Sequence, residues 1–160
     1  MTGFPPSVDR VVEAAALAGV ALTVVEYPDG TRTAVDAASA VGCEVGQIVK
    51  SLVFEVDGHL VLALTSGSNR VDTAALAAVA GGSSCGRADV DDVRESTGFA
   101  IGGVPPFGHA TETQTFFDPA LLEFETVWAA AGTPRHVFPI TPHTLLDLTN
   151  AELANFTQGV

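Results

Sequence analysis

The chain has little positive charge and almost no lysine. Its 160 residues contain 7 Lys+Arg against 19 Asp+Glu, which gives a formal net charge of −12. This balance repels polyanions, so it excludes broad electrostatic binding of nucleic acid and leaves only local contacts. An acidic surplus of this size is typical of a solvated, soluble surface.

Cysteines, long apolar runs and a targeting segment are also scarce or missing. Cys43 and Cys85 are too few and too far apart for a disulfide framework or a CxxC metal site, so we expect free thiols. No stretch approaches the roughly 20 apolar residues of a membrane-spanning helix. The terminus MTGFPPSVDR has neither a basic start nor a hydrophobic signal core. These absences predict a cytoplasmic protein without a membrane segment.

The apolar content is sufficient for one folded domain. Hydrophobic residues make up 47% of the chain and charged residues 16%, which excludes a disordered protein. No internal repeat, low-complexity tract or linker divides the sequence. We therefore predict a single domain over residues 1–160.

Apolar spacing, capping residues and glycine turns predict interspersed helices and strands. Helices are expected at 7–19 with Ser7 as the cap, at 33–41, and from Thr141-Pro142 onward. Three more are expected at 72–79, 89–97 and 118–124, with Asp72, Asp89 and Asp118 interpreted as caps rather than as catalytic acids. Strands are expected at 22–27, 47–56, 59–65, 83–87, 112–117, 126–131 and 136–140. Asp57-Gly58 lies between two apolar runs and predicts an antiparallel hairpin. This order favours an α/β fold with a mixed sheet flanked by helices.

The single lysine, Lys50, lies inside an apolar stretch. In a strand its side chain shares a face with Ile48, Leu52, Phe54 and Val56. An unpaired ammonium there is unfavourable unless a partner or a water-filled cleft receives it, so Lys50 is a candidate functional cation. The alternative is that its aliphatic stem packs on the sheet while its charge reaches solvent at a strand end.

Two glycine-containing segments could converge with Lys50 on a cleft. Residues 102–108 form a glycine-proline loop, in which glycines allow close approach to a ligand and prolines fix the chain path. The amides of Gly102, Gly103 and Val104 could donate to a carbonyl oxygen. The alternative is that the loop is only a tight crossing between strands. The turn at residues 132–136 is the other segment.

Common catalytic signatures are missing. The sequence has no GxSxG, HExxH or P-loop motif, and its four histidines lack ligand-like spacing, which argues against a metal site. His59 and His143 are most simply solvent-facing, whereas His109 and His136 adjoin the glycine segments as candidate substrate contacts. Ser51 should point to the face opposite Lys50, so a Ser-Lys nucleophilic pair is unfavourable.

Three runs of sequence resemble a known family. They are QIVKSLVF at 47–54, SNRVD at 68–72 and STGFAIGGVPPFG at 96–108. In order and spacing they resemble the YbaK family of aminoacyl-tRNA deacylases, which is related to the editing domain of bacterial prolyl-tRNA synthetases. The similarity covers roughly residues 7–150. It implies a compact domain with a barrel-like mixed sheet that hydrolyses the ester between a wrongly attached amino acid and tRNA, without a metal or an organic cofactor.

The resemblance also implies functional residues and partners. Lys50 corresponds to the functional lysine of the family. The substrate loop with the GxxxP pattern corresponds to Gly102, Gly103, Val104, Pro105 and Pro106, and a third pocket wall to Gly132 and His136. The implied partners are misacylated tRNA, bearing an alanyl, cysteinyl or prolyl ester, and prolyl-tRNA synthetase.

The acidic charge leaves the route of tRNA binding open. Either the later arginines cluster at the mouth of the cleft, or a synthetase partner supplies most of the affinity, or the substrate is smaller. These arginines are Arg70, Arg87, Arg94 and Arg135.

Two other function classes fit the same residues. A non-catalytic binding module would hold an aminoacyl group, a nucleotide or a partner in the pocket without turnover. A carbonyl enzyme would use Lys50 as an imine-forming amine.

Overall fold

The structure, a computed structural model, describes residues 3–31 and 33–159 as a mixed sheet with flanking helices. The helices are α1 (Pro6–Leu17), α2 (Ala34–Val41), α3 (Thr73–Val79), α4 (Val90–Thr97) and α5 (Pro142–Thr149), with 3₁₀ helices at Val45–Gln47 and Pro119–Glu123. The strands are β1 (Val25–Glu26), β2 (Ile48–Val56), β3 (His59–Ser66), β4 (Asn69–Val71), β5 (Cys85–Arg87), β6 (Gln114–Phe117), β7 (Val127–Ala130), β8 (His136–Ile140), β9 (Glu152–Leu153) and β10 (Thr157–Gly159).

Parallel and antiparallel pairings occur in the same sheet. In the described residues, eight strands form one sheet in the order β1-β8-β7-β2-β3-β6-β9, with β5 also paired to β2. β2 is antiparallel to β3 and β5 but parallel to β7. β10 and β4 form a separate two-stranded ribbon. The predicted α/β class with a mixed sheet is confirmed.

Turn and cap chemistry explains several of the element boundaries. Asp57 and Gly58 have φ angles of 47° and 89°, the left-handed values that a two-residue hairpin turn requires. The predicted caps Asp72, Asp89 and Asp118 each accept a hydrogen bond from a backbone amide of the following turn. The hairpin and these caps are confirmed.

Some predicted elements differ in type or extent. Helix α1 begins at Pro6 after Pro5, with no side-chain cap, so the predicted Ser7 cap is wrong; proline suits the first turn because its missing N–H needs no partner. The strand predicted at 22–27 is reduced to Val25–Glu26, and the helix predicted at 118–124 is a short 3₁₀ helix. Strands β4, β9 and β10 were not predicted because distant pairing, rather than local sequence, creates them.

The two faces of β2 contribute to different clusters of buried side chains. Val49 and Val53 belong with the cluster that includes Phe107, whereas Phe54 belongs with the cluster that includes Phe116. Side chains alternate along a strand, so Ser51 projects with the valines and Lys50 projects to the other face.

One edge of β2 is unpaired in its middle. β7 pairs with Ile48 and Val49, and β5 pairs with residues 54–56. In the part of the chain that the structure describes, residues 50–53 therefore have β3 on one side and no second strand on the other. This interruption places Lys50 and Ser51 at an opening in the sheet.

The helices are too short or too polar to cross a bilayer. Across residues 3–31 and 33–159, no helix has the length and apolar character that a membrane span requires.

Candidate active site

A cavity of about 420 Å³ lies at the opening in the sheet. Its walls come from β2, from the start of α2, from the loop after α4, and from β7 and β8. Most side chains in these walls are apolar, including Ala37, Ile48, Val53, Val93, Val104, Trp128 and Val137. A concave, mostly apolar cavity with a few polar groups is typical of a small-molecule site.

Lys50 lies in this cavity wall and is not free in solvent. Its ammonium nitrogen donates a hydrogen bond to the backbone carbonyl oxygen of Asn69 at 2.6 Å. Burial lowers the pKa of Lys50 below its ordinary value, and the nearby charge of Arg70 lowers it further, while the carboxylate of Asp118 opposes the change. The amine is therefore a partly desolvated cation that can bind an anion or a polarised carbonyl.

The glycine-proline loop reaches the same cavity through Gly102 and Val104. Gly102 has a φ of 94°, a left-handed conformation that favours glycine. In the described part of the chain, the amides of Gly102 and Val104 have no hydrogen-bond acceptor, whereas the Gly103 amide donates to the carbonyl of Ala100 at 3.0 Å. Two of the three predicted amides thus have no acceptor within the described residues.

Contacts behind the loop fix its position. A Cβ atom on Gly103 would lie only 2.6 Å from the Cα of Thr133, so the loop and the 132–136 turn touch at a point that requires glycine. The ring Nε2 of His109 bonds to the carbonyl oxygen of Pro105 at 2.6 Å. Burial lowers the pKa of His109, and the bond to Pro105 partly opposes this change. His109 thus supports the loop from behind.

The other predicted site residues lie behind the cavity wall. Within the described chain, Gly103, Pro105, Pro106, Gly132 and His136 are buried and do not line the cavity. The Nδ1 atom of His136 hydrogen-bonds with the Thr133 hydroxyl at 2.6 Å, and its Nε2 lies 3.8 Å from a carboxylate oxygen of Glu26. These residues converge with the loop through Thr133 rather than by facing the cavity.

Two arginines accompany Lys50 in an adjoining groove, which we call the cationic groove. It has a volume of about 470 Å³ and is lined by Lys50, Leu52, Phe54, Gly67, Asn69, Arg70, Val71, Thr73 and Arg87. In the described residues, no carboxylate forms an ion pair with any of its three cations. Arg94 and Arg135 are exposed and line neither space.

Sequence reasoning named Arg70 among four arginines that could cluster at the cleft, but it missed Asn69, which also comes from β4. Asn69 and Arg70 occur in the SNRVD run, but their role depends on the pairing of β4 with β10. Asn69 also donates through its side-chain amide to Asp118 Oδ2 at 2.9 Å. Asp118 was interpreted only as a helix cap, although this buried carboxylate also supports the segment that bonds to Lys50.

No metal-binding cluster accompanies these groups. In the portion of the chain that the structure covers, no three His, Cys, Asp or Glu side chains are grouped so as to hold an ion.

Comparisons with known proteins identify the family of the chain. The family model described as "Aminoacyl-tRNA editing domain" matches residues 28–148. A crystal structure whose suggested role is a trans-editing enzyme for prolyl tRNA synthetase has a TM-score of 0.92 and 49% identity, covering 98% of this chain and 100% of that one.

Two curated relatives match at lower identity. The Multifunctional Ser/Thr-tRNA deacylase ProXp-y of Escherichia coli (strain K12) is 31% identical over 120 residues, which is 72% of each chain. Uncharacterized protein YwhH of Bacillus subtilis (strain 168) is 30% identical over 127 residues, 79% of this chain and 80% of its own.

Proposed function

The chain belongs to the aminoacyl-tRNA editing domain family, and we propose that Lys50 and the 102–106 loop carry out its reaction. The protein is an aminoacyl-tRNA deacylase, an ester hydrolase that acts in trans on misacylated tRNA. The observation that supports our residue assignment is that Lys50, Gly102 and Val104 line one cavity. On this basis we propose that the ammonium of Lys50 and the amides of Gly102 and Val104 contact one ester group.

The chemistry we propose is stabilisation of negative charge on the ester carbonyl oxygen. Water adds to the carbonyl carbon, the bond to the ribose oxygen breaks, and a proton from the water ends on that oxygen. The ammonium of Lys50 and the amides of Gly102 and Val104 would stabilise the charge that develops during addition. We assign no protein nucleophile, because Ser51 and Lys50 project to opposite faces of β2 and Lys50 is therefore poorly placed to activate the Ser51 hydroxyl. A neighbouring ribose hydroxyl of the substrate would help to orient the water.

We propose that the cavity limits the substrate mainly by size. Its volume of about 420 Å³ and apolar walls suit a small aminoacyl group next to the terminal ribose. One methylene changes discrimination by only about 1–3 kcal/mol. We therefore expect overlapping activity towards small esters such as alanyl, cysteinyl and prolyl.

The cationic groove offers a local route for tRNA binding by an acidic protein. Lys50, Arg70 and Arg87 bring three of the chain's seven Lys+Arg residues to one groove. We propose that Arg70 and Arg87 contact phosphates of the tRNA 3′ end while the esterified amino acid enters the apolar cavity. Arginine suits this role because its planar guanidinium presents several donors to phosphate oxygens.

We extend the proposal to partners and setting. Prolyl-tRNA synthetase is the proposed protein partner, since a similar solved structure has a suggested trans-editing role for that enzyme. We further propose that residues 1–160 form one domain that acts in the cytoplasm, with Gly103, Pro105, Pro106, Gly132 and His136 shaping the loop behind the site.

A hydrolysis assay tests this function. Purified protein is incubated with tRNAs misacylated with alanine, cysteine or proline, and release of the amino acid is followed against buffer. We expect at least one ester to be cleaved well above the buffer rate. Saturable binding of these tRNAs with no release above buffer would instead identify a binding module.

A further inference from the structure

The hydroxyl of Ser51 has no hydrogen-bond partner although it is buried. Among the described residues, Ser51 Oγ is the only buried side-chain nitrogen or oxygen atom in this condition. Leaving such a group unpaired lowers stability, and native proteins contain few of them. An unpaired hydroxyl in a cavity wall is therefore a candidate ligand contact.

The side chains around Ser51 are apolar, so a hydrogen-bond partner for its hydroxyl would have to come from the cavity. It lies in the unpaired middle of β2, between the segments that β7 and β5 cover, and it lines the 420 Å³ cavity. Val49 and Val53 flank it on the same face of the strand, and Val93 and Val104 belong to the same buried cluster. None of these side chains can form a hydrogen bond.

The hydroxyl of Ser51 can change its rotamer without losing a hydrogen bond. Ser51 as a residue is partly exposed, although its Oγ atom is not. Turning the side chain about χ1 to another staggered position breaks no hydrogen bond, because Oγ makes none. The cavity contents can therefore recruit this hydroxyl.

The partner of Ser51 should be neutral. Among residues 3–31 and 33–159, no Asp or Glu lines the cavity, whereas Lys50 and Arg87 do. A substrate ammonium placed beside Ser51 would be an unpaired charge among valines, close to other cations, which is unfavourable. A neutral hydroxyl can both donate to Ser51 and accept from it, so it fits the position.

We propose that Ser51 determines specificity by binding the side-chain hydroxyl of a small aminoacyl group, so that the site prefers a seryl to an alanyl ester. This inference rests on the proposed function in taking an aminoacyl-tRNA as the ligand. Seryl and alanyl groups differ by one oxygen atom. A site built to bond that oxygen disfavours the group that lacks it, because its own polar atom then stays unpaired.

A binding experiment tests the proposal without requiring turnover. The probe is a tRNA ending in 3′-amino-3′-deoxyadenosine that carries serine or alanine through a stable amide, and Kd is measured by fluorescence anisotropy. We expect the parent protein to bind the seryl form at least ~10-fold more tightly. Ser51→Ala should bind both forms equally, with the alanyl Kd unchanged. The exposed Ser84 supplies the control, since Ser84→Ala should keep the preference.

Two results would overturn the proposal. One is an equal Kd for the two forms in the parent protein. The other is that Ser51→Ala weakens the binding of both forms equally. This would show that the hydroxyl contacts a group that both ligands share. A seryl preference in a protein that hydrolyses no ester would reject the proposed function and keep this inference, so the two failures are distinguishable.

Thermal unfolding of Ser51→Ala provides an independent readout. Because the variant removes an unpaired buried hydroxyl, its Tm without ligand should equal or exceed that of the parent. A clear fall in Tm would indicate that the hydroxyl forms a structural bond, and it would contradict the proposal.

Discussion

The ammonium nitrogen of Lys50 lies 2.6 Å from the backbone carbonyl oxygen of Asn69, to which it donates a hydrogen bond. The side chain of Asn69 is held in turn by Asp118, and β10 pairs with the strand that contains Asn69. Lys50 lines both the apolar cavity and the cationic groove. The bond to Asn69 therefore holds the amine where a phosphate and an ester could approach it together.

Removing the carboxylate of Asp118 should destabilise the fold strongly. It is 2% exposed and accepts hydrogen bonds from the Ser66 amide, the Asn69 side chain and the Ala120 amide. We expect Asp118→Ala to lower the free energy of unfolding by about 3 kcal/mol. The measurement is urea denaturation, with Asp89→Ala as control.

Asp89 is a matched control because it is also a helix cap. It is exposed, and its carboxylate accepts a hydrogen bond from the Asp91 amide. Asp89→Ala should lower the free energy of unfolding by about 1 kcal/mol. Equal losses for the two variants would contradict the supporting role that we assign to Asp118.

Arg70 and Arg87 should dominate the salt dependence of tRNA binding. Log affinity falls as log salt concentration rises, and for single-stranded nucleic acid each phosphate contact steepens this slope by about 0.7. We expect the Arg70→Ala and Arg87→Ala double variant to bind more weakly and to lose about two such contacts. The exposed Arg135, which lines neither the cavity nor the cationic groove, provides the control. If Arg135→Ala weakens tRNA binding and its salt dependence as much, local binding at the groove is refuted.

A methyl group at Gly103 should displace the substrate loop. Its Cβ would lie 2.6 Å from the Cα of Thr133, whereas a Cβ at Gly86 would meet nothing within 4 Å. Neither glycine has a left-handed φ, so the comparison isolates steric contact. We expect Gly103→Ala to lose about 1–3 kcal/mol of unfolding free energy, and deacylation to fall with it. Gly86→Ala should stay within about 0.5 kcal/mol of the parent; similar losses in both would reject the steric argument.

The stability of the protein should decrease in mild acid through His109. Burial lowers its pKa in the folded state, so the unfolded chain binds the proton more readily. The contribution of His109 to stability is complete above the unfolded pKa of about 6.5 and is lost as the pH falls from there through the folded pKa.

The check on His109 is urea denaturation at several pH values. His109→Gln keeps an N–H donor for the carbonyl of Pro105 but cannot titrate, so it should lose less stability between pH 7 and pH 5 than the parent. Parallel curves for the two proteins would contradict this assignment.

Local signals predicted much of the fold. Asp57-Gly58 specifies its hairpin because both positions tolerate left-handed φ angles, and Gly42 and Gly98 end α2 and α4 in that conformation. Lys50 was recognisable as a functional candidate because a strand face with Leu52 and Phe54 is unfavourable for an isolated ammonium. Such signals depend only on neighbouring residues.

The rest of the site depends on distant pairing. Asn69 is 19 residues from Lys50, and Arg70 reaches the groove only because β4 pairs with β10 near the end of the chain. The unpaired edge at residues 50–53 arises from where β7 and β5 stop. No local pattern around Ser51 or Arg87 encodes these positions. Sequence reasoning could therefore name Arg87 only as one of four candidate arginines, and it could not assign a role to Ser51.

The most direct test of the central claim is the single-turnover rate of deacylation by the parent and by Lys50→Met, using the misacylated tRNA that the parent cleaves fastest. If the ammonium stabilises the developing negative charge, we expect the variant to be about 10²–10³-fold slower while its thermal unfolding stays close to that of the parent. The parent rate should also fall at alkaline pH as Lys50 loses its proton through its lowered pKa. A folded Lys50→Met variant that hydrolyses the ester as fast as the parent would contradict the account.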